Sequence, residues 1–274
     1  MYYCRSTGVE RLVRLSQHAL TNYQLRASKL EILQIIAPDP DNLCRITTLQ
    51  LYVQFKSDYQ HTLFLLDSTP NLMSLDIELL MDSPEVAFPS VSLAGGPRKL
   101  RALRLECWYF DNGGTTLFQM VRFEELEELQ IFYCRDYGRL LLELAHLTLK
   151  LKSFCIDEQD TAGIQFDDNT NMFLRSLNPL DRIALALDAD LGGLDTPIDW
   201  SAIEIHASTL KYLKVEINWV ADMFPTKECI SSLVRLCNNA VNLEQLAVSG
   251  VDSEFDDEGI SGNISFYQFL VRVI

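Results

Sequence analysis

Four histidines, His18, His61, His146 and His206, are the side chains best suited to ligate a metal or carry a proton, and their spacing opposes both roles. A metal or acid–base site needs several such groups converging on one point, and local motifs achieve this with ligands a turn of helix apart. None of the four histidines has a metal-ligand neighbour at positions i+3 to i+5. The sequence also lacks a G-x-S-x-G nucleophile elbow, an H-E-x-x-H pair and a Walker loop. Gly95-Gly96 and Gly113-Gly114 read as turns after strands, and neither opens a phosphate-cradling sequence. Asp188, Asp190 and Asp195 crowd one loop, where carboxylates ordinarily serve solvation. These residues predict no catalytic constellation, no metal and no cofactor, and an enzyme stays only as the last alternative.

Charge narrows the choice of partner. The 274 residues carry 23 Lys+Arg against 38 Asp+Glu, a net charge of −15. Such a chain is repelled by phosphate backbones and anionic lipid, so neither nucleic acid nor a membrane is expected, whereas a protein of basic or mixed charge is compatible. Acid gathers in stretches read as loops after strands: Asp157, Glu158 and Asp160, then Asp167 and Asp168, then Asp252 to Glu258. They either keep an apolar fold soluble or form a patch for a basic partner. The last stretch lacks the D-x-D-x-D-G alternation of an EF-hand.

Neither a signal-peptide run nor a stretch of about 18 apolar residues occurs. The cysteines, Cys4, Cys44, Cys107, Cys134, Cys155, Cys229 and Cys237, are odd in number, scattered and mostly set in apolar segments, as free thiols used for packing are. A cytoplasmic or nuclear, reducing environment is expected. The sequon Asn263-Ile264-Ser265 is a three-residue match that arises by chance at this length.

Any binding side chain must be positioned by the elements around it, and those announce themselves through a recurring phrase. A large apolar residue is followed three and five positions later by two more. The copies are Leu30/Leu33/Ile35, Ile46/Leu49/Leu51, Leu72/Leu75/Ile77, Leu100/Leu103/Leu105, Leu126/Leu129/Ile131, Leu151/Phe154/Ile156, Leu180/Ile183/Leu185, Leu210/Leu213/Val215 and Leu243/Leu246/Val248. Their first positions are 16, 26, 28, 26, 25, 29, 30 and 33 residues apart, at or near the spacing of leucine-rich repeats. Alternate strand residues share a face, so the second and third positions of each phrase enter the core together. Between phrases, Thr116–Glu125, Tyr137–Leu147, Met172–Leu177 and Cys229–Asn239 have helical character, as in the Leu140, Leu144 and Leu147 spacing. Alternating strands and helices predict a parallel sheet with helical crossovers.

The expected fold is an α/β leucine-rich repeat solenoid, a horseshoe with parallel strands on its concave face and helices and irregular loops on the convex face. No linker divides residues 1–274, so one domain of about nine repeats, with partial repeats at both ends, is expected. Val9–Leu25 reads as the helix of a preceding turn, and Ser265–Ile274 as the start of another helix. Such ends imply either a piece of a longer chain or coverage by self-association. The 16-residue first step, with Pro38 and Pro40, implies a tight loop without a helix.

The phrases "KLRALRLECW", "ELEELQIFYC", "TLKYLKVEIN", "NLEQLAVSG" and "LLDSTPNLMSLDI" resemble the leucine-rich repeats of F-box/LRR proteins, especially the irregular ones of filamentous fungi, over about residues 10–274. The resemblance implies a non-catalytic protein-interaction module that recognises substrate for a ubiquitin ligase, with a Skp1-like adaptor as a further partner if an F-box belongs to the parent chain. No L-P-x-E-like F-box opening precedes the repeats here. A scaffolding repeat protein unconnected with ubiquitin is the alternative. At the ninth position of each phrase, where the family often carries Asn or Cys, only Cys134 and Asn218 fit; Pro38, Gln54, Leu80, Trp108, Gln159, Asp188 and Val251 depart from it.

The predicted binding face consists of strand residues flanking the buried ones. Tyr52, Asp76, Glu78, Arg104, Glu106, Glu128, Gln130 and Lys214 supply its polar part, within a wider face that includes Asp157, Arg182, Tyr212 and Glu216. Aromatic residues follow two strands, Trp108, Tyr109 and Phe110 after one and Phe132 and Tyr133 after the next, and are expected to gather at one edge. Of these, Trp108, Tyr109, Phe132 and Tyr133 join the predicted partner-binding set, since aromatic rings beside charges are the usual substance of interface hot spots.

Overall fold

The computed structural model describes residues 26–27, 43–44, 46–53, 58–79, 93–110, 115–157, 168–189, 199–219, 227–252 and 267–271. The strands are β1 (Arg26–Ala27), β2 (Thr48–Val53), β3 (Ser74–Leu79), β4 (Ala102–Glu106), β5 (Glu128–Phe132), β6 (Ser153–Asp157), β7 (Arg182–Ala189), β8 (Tyr212–Trp219), β9 (Gln245–Asp252) and β10 (Tyr267–Val271). The helices are α1 (Asp58–Ser68), α2 (Thr115–Met120), α3 (Tyr137–Leu144), α4 (Asp168–Ser176), α5 (Trp200–Glu204) and α6 (Lys227–Asn239), with a 3-10 turn at Phe123–Glu125. All ten strands form one open sheet in sequence order. Pairing is parallel from β1 through β9, and β10 lies antiparallel on β9.

The apolar phrases dictate this register. Leu49, Leu75, Leu103, Leu129, Phe154, Ile183, Leu213 and Leu246 stand side by side across eight strands. All eight are buried, as are Leu51, Ile77, Leu105, Ile131, Ile156, Leu185 and Val215 two positions on. A slip of one residue in any strand would bring that strand's whole apolar set to solvent, so burial itself selects the alignment. The first residues of the phrases, from Ile46 to Leu243, are buried where the chain enters each strand. Leu140, Leu141 and Leu144 of α3, Phe173 and Leu174 of α4 and Leu236 of α6 close the same core, placing these helices over the apolar face.

A second device locks the strand entrances together. One carbonyl in each unit, from Thr47, Met73, Arg101, Glu127, Lys152, Asp181 and Lys211, accepts two successive N–H groups of the next unit at 2.7–3.1 Å. The side chains of this row alternate in charge, Arg101, Glu127, Lys152, Asp181, Lys211 and Glu244. Glu127 lies 3.8 Å from Arg101 and 2.8 Å from Lys152, and Lys211 lies 3.8 Å from Asp181.

Several sequence expectations are corrected. The sheet is not parallel throughout, because the segment expected to begin a helix at Ser265 forms the antiparallel strand β10. Aromatic and β-branched residues within Tyr267–Val271 suit an edge strand, and pairing occupies the open backbone of β9. At the other end, Ala27 stands opposite Leu51, a step of 24 residues, so the strand beside β2 is not the Leu30/Leu33/Ile35 phrase. That phrase, Val9–Leu25, Pro38 and Pro40 lie outside the described residues. The helix expected over 116–125 breaks into α2 and the 3-10 turn. Helices α1 and α5 were not foreseen. In α1 the run Leu63-Phe64-Leu65-Leu66 hides the helical period, since Leu65 and Leu66 are buried while Phe64 is 48% exposed.

Candidate functional site

The sheet face opposite the helices carries every charged strand residue predicted to bind. Along β3 through β6 the half-buried residues of this face alternate strictly with fully buried ones. Register arranges the face in three rows that cross the strands. The first holds Thr48, Ser74, Ala102, Glu128, Ser153, Arg182, Tyr212 and Gln245, and the middle row Gln50, Asp76, Arg104, Gln130, Cys155, Ala184, Lys214 and Ala247. At the C-terminal ends of the strands lie Tyr52, Glu78, Glu106, Phe132, Asp157, Ala186, Glu216 and Ser249.

Arg104 organises the centre. Its Nη2 donates to Glu106 Oε2 at 2.6 Å, its Nε lies 3.7 Å from Asp76 Oδ1, and its guanidinium carbon sits 4.4 Å from the Phe132 ring centroid. Burial opposes its charge, but the Glu106 hydrogen bond and the nearby carboxylates of Asp76 and Glu78 win, raising its pKa above the ordinary arginine value. On β5, Gln130 Nε2 donates to Glu128 Oε1 at 2.5 Å. Further along, Lys214 Nζ holds Glu216 Oε2 at 2.7 Å, and this bond chiefly raises the lysine pKa. The Arg182 guanidinium repeats the stacking motif 4.3 Å from the Tyr212 ring.

Of the predicted binding set, Asp76, Glu78, Arg104, Glu106, Glu128, Gln130 and Phe132 come together on three neighbouring strands. Lys214 does not join them, because four strand spacings, roughly 19 Å, separate β8 from β4. Tyr52 belongs to the C-terminal row two strands from Arg104, and its side chain lies outside the described residues. Asp157, Arg182, Tyr212 and Glu216 lie on the same face, in the wider set that two-residue alternation predicts.

The aromatic residues follow neighbouring strands whose ends stay paired, but they divide between core and surface. Trp108 is a correction to the predicted binding set: it is 4% exposed, stacks on buried Phe110 at 5.9 Å, and donates from Nε1 to the Ile77 carbonyl at 3.2 Å. Tyr109 faces outward between them at 40% exposure. Phe132 and Tyr133 stay half-buried with centroids 6.5 Å apart. The division follows from the strand ends. Cys107 and Tyr133, each just beyond a strand, take the left-handed conformation at φ 59 and 52, which ends the alternation and turns the next side chain, Trp108 or Cys134, inward.

Cys134, at the ninth position of its phrase, bonds the backbone of the turn. Its Sγ accepts from Trp108 N–H at 3.3 Å and donates toward the Phe132 carbonyl at 3.2 Å. Asp188, Asn218 and Val251, at the equivalent phrase position, instead continue the long strands β7 to β9 in mutual register, so Asp188 belongs to a strand and not to the expected acidic loop. Asp157, Asp168 and Asp252 likewise sit in β6, α4 and β9. Among described cysteines Cys134 is buried and Cys155 and Cys237 are half-buried, while Cys44 and Cys107 are exposed and fall outside the packing use expected of most of them.

His206 is fully buried, with Nδ1 accepting from Leu180 N–H at 3.2 Å and Nε2 placed 3.1 Å from the Leu174 carbonyl, to which it donates as the complementary tautomer. Among the described residues no group of three or more His, Cys, Asp or Glu could hold a metal ion. No helix among them is long and apolar enough to cross a membrane. No protein-family model matches the chain, and no curated protein matches it.

Proposed function

We propose that this chain is a non-catalytic protein-interaction module that holds a protein partner on the open face of its sheet, in the substrate-recognition role of an F-box-type ubiquitin ligase. In this reading the strands and crossovers form a leucine-rich repeat solenoid, with the open face concave. The observation that carries it is the register that sets half-buried polar and aromatic residues side by side across β3 to β6 and again on β8, with alanines filling two of the three rows on β7. Charges on such a face also serve solubility, but guanidinium groups stacked on half-buried rings beside carboxylates are the combination that interfaces use. The phrase resemblance supports the ubiquitin context, and a cytoplasmic or nuclear location would accompany it.

The test is affinity capture from the parent cells under the same conditions with wild type, Phe132→Ala, and a charge-reversed Arg104→Glu/Glu106→Arg variant. Loss of one specific captured protein by both variants, with thermal stability nearly intact, is expected. Unchanged capture would remove the open face from consideration. Co-purification of a Skp1-like adaptor with the parent protein supports the ligase context, and its absence would leave a scaffolding module.

A further inference from the structure

We infer that the segment held on the open face is an extended, basic stretch of polypeptide crossing the strands along their C-terminal row, with aliphatic atoms against the Phe132 ring. This rests on the open face being the binding surface, and adds the chemistry of its occupant. Register sets Glu78, Glu106, Phe132, Asp157 and Glu216 in one line. That line has four carboxylates and, among the described residues, no cation; Arg104, Arg182 and Lys214 all belong to the two rows before it.

Spacing favours a chain over an ion. Three strand spacings, roughly 14 Å, separate Glu78 from Asp157, and two more, roughly 10 Å, lead to Glu216. No single cation bridges such gaps, while four and then three extended residues at about 3.4 Å each do. The ring in mid-row suits the aliphatic stem of an arginine or lysine better than a fully hydrated ligand. Glu106 and Glu216 already hold Arg104 and Lys214 of the middle row and are only 18% and 23% exposed, so their partial burial strengthens the pull on a guanidinium that shares or displaces those cations. The face itself shows how a guanidinium is seated there, over Phe132 beside Glu106 and again over Tyr212. One thiol reports the same negative field: burial first, then Glu106 and Glu78, raise the Cys107 pKa.

The test measures fluorescence anisotropy of a labelled alternating arginine–serine peptide, and of its glutamate–serine counterpart, with the whole chain. A row variant, Glu78→Gln/Glu106→Gln/Asp157→Asn, is compared with Glu124→Gln/Glu143→Gln/Glu244→Gln, which changes net charge equally elsewhere. The arginine peptide should bind, the row variant should lose about tenfold in affinity and the control variant little. Equal losses in both variants would show a non-specific polyanion and overturn the inference. Because the row variant could fail to fold, Arg104→Gln provides a second arm: removing the competing cation should tighten the arginine peptide about threefold, and weakening would overturn the inference. Binding of the glutamate peptide, or of neither peptide, would overturn it also. The face reading would survive those last results if Phe132→Ala still abolished partner capture, and would fall with the inference if it did not.

Discussion

At the scale of single residues, the two ring positions after neighbouring strands separate stability from recognition. Trp108→Phe keeps the stack on Phe110 but removes the donor to the Ile77 carbonyl, leaving a buried acceptor without that bond. A loss of roughly 1–3 kcal/mol in urea unfolding, with peptide affinity unchanged, is expected. Phe132→Ala should do the opposite, weakening the arginine peptide about tenfold with a smaller loss of stability. Equal stability losses for the two variants would contradict the assignment of Trp108 to core and Phe132 to surface.

His206 gives the fold a defined acid sensitivity. Burial draws its pKa down to about 4, against the smaller opposing effect of the bond to the Leu174 carbonyl. An unfolded histidine titrates near 6.5, so on acidification the unfolded chain takes up the proton first. The contribution is therefore fully present above about pH 6.5 and is lost as pH falls toward 4, an amount of roughly 3 kcal/mol. In urea titrations between pH 7 and 4.5, His206→Gln should lose stability less steeply than wild type. Parallel curves would show that the ring does not control this window.

At the scale of elements, helices packed over the sheet and paired strand entrances hold the strands together. Phe154 of β6 meets Phe173 of α4 edge to face at 5.1 Å, and both are fully buried. Phe154→Ala opens a cavity at this junction and should cost about 3–5 kcal/mol by chemical denaturation. The alternating charges at the strand entrances are expected to oppose misregister between units whose apolar phrases are nearly interchangeable. Glu127→Lys would set three cations in succession with Arg101 and Lys152. It should lower the melting temperature, and Arg101→Glu/Lys152→Glu in the same chain should recover it; no recovery would make the alternation incidental.

At the scale of the whole molecule, strand order equals sequence order, so the sheet couples neighbours and leaves distant strands nearly independent. Leu103→Ala in β4 and Leu213→Ala in β8 lie four strands apart and should add in stability to within about 0.5 kcal/mol. Leu129→Ala and Phe154→Ala stand side by side and should deviate from additivity by more. Strong coupling between the distant pair would contradict a core built from neighbour contacts.

The sequence by itself determined the sheet. Eight apolar phrases name the buried pair in each strand from β2 to β8 and the buried Leu246 of β9, because a two-residue period with one buried face permits a single alignment. Two-residue alternation likewise made the face of Asp76, Arg104, Glu128 and Phe132 legible before any coordinates. What lay outside local periodicity was decided by tertiary structure. Whether Trp108 packs or protrudes depends on the left-handed turn at Cys107 and on an acceptor 31 residues earlier, which no window of sequence contains. Arg104 and Phe132 meet only because neighbouring strands stand diagonally in register. The segment after Ser265 could have continued as helix or strand on its own propensities, and the open backbone edge of β9 made it a strand.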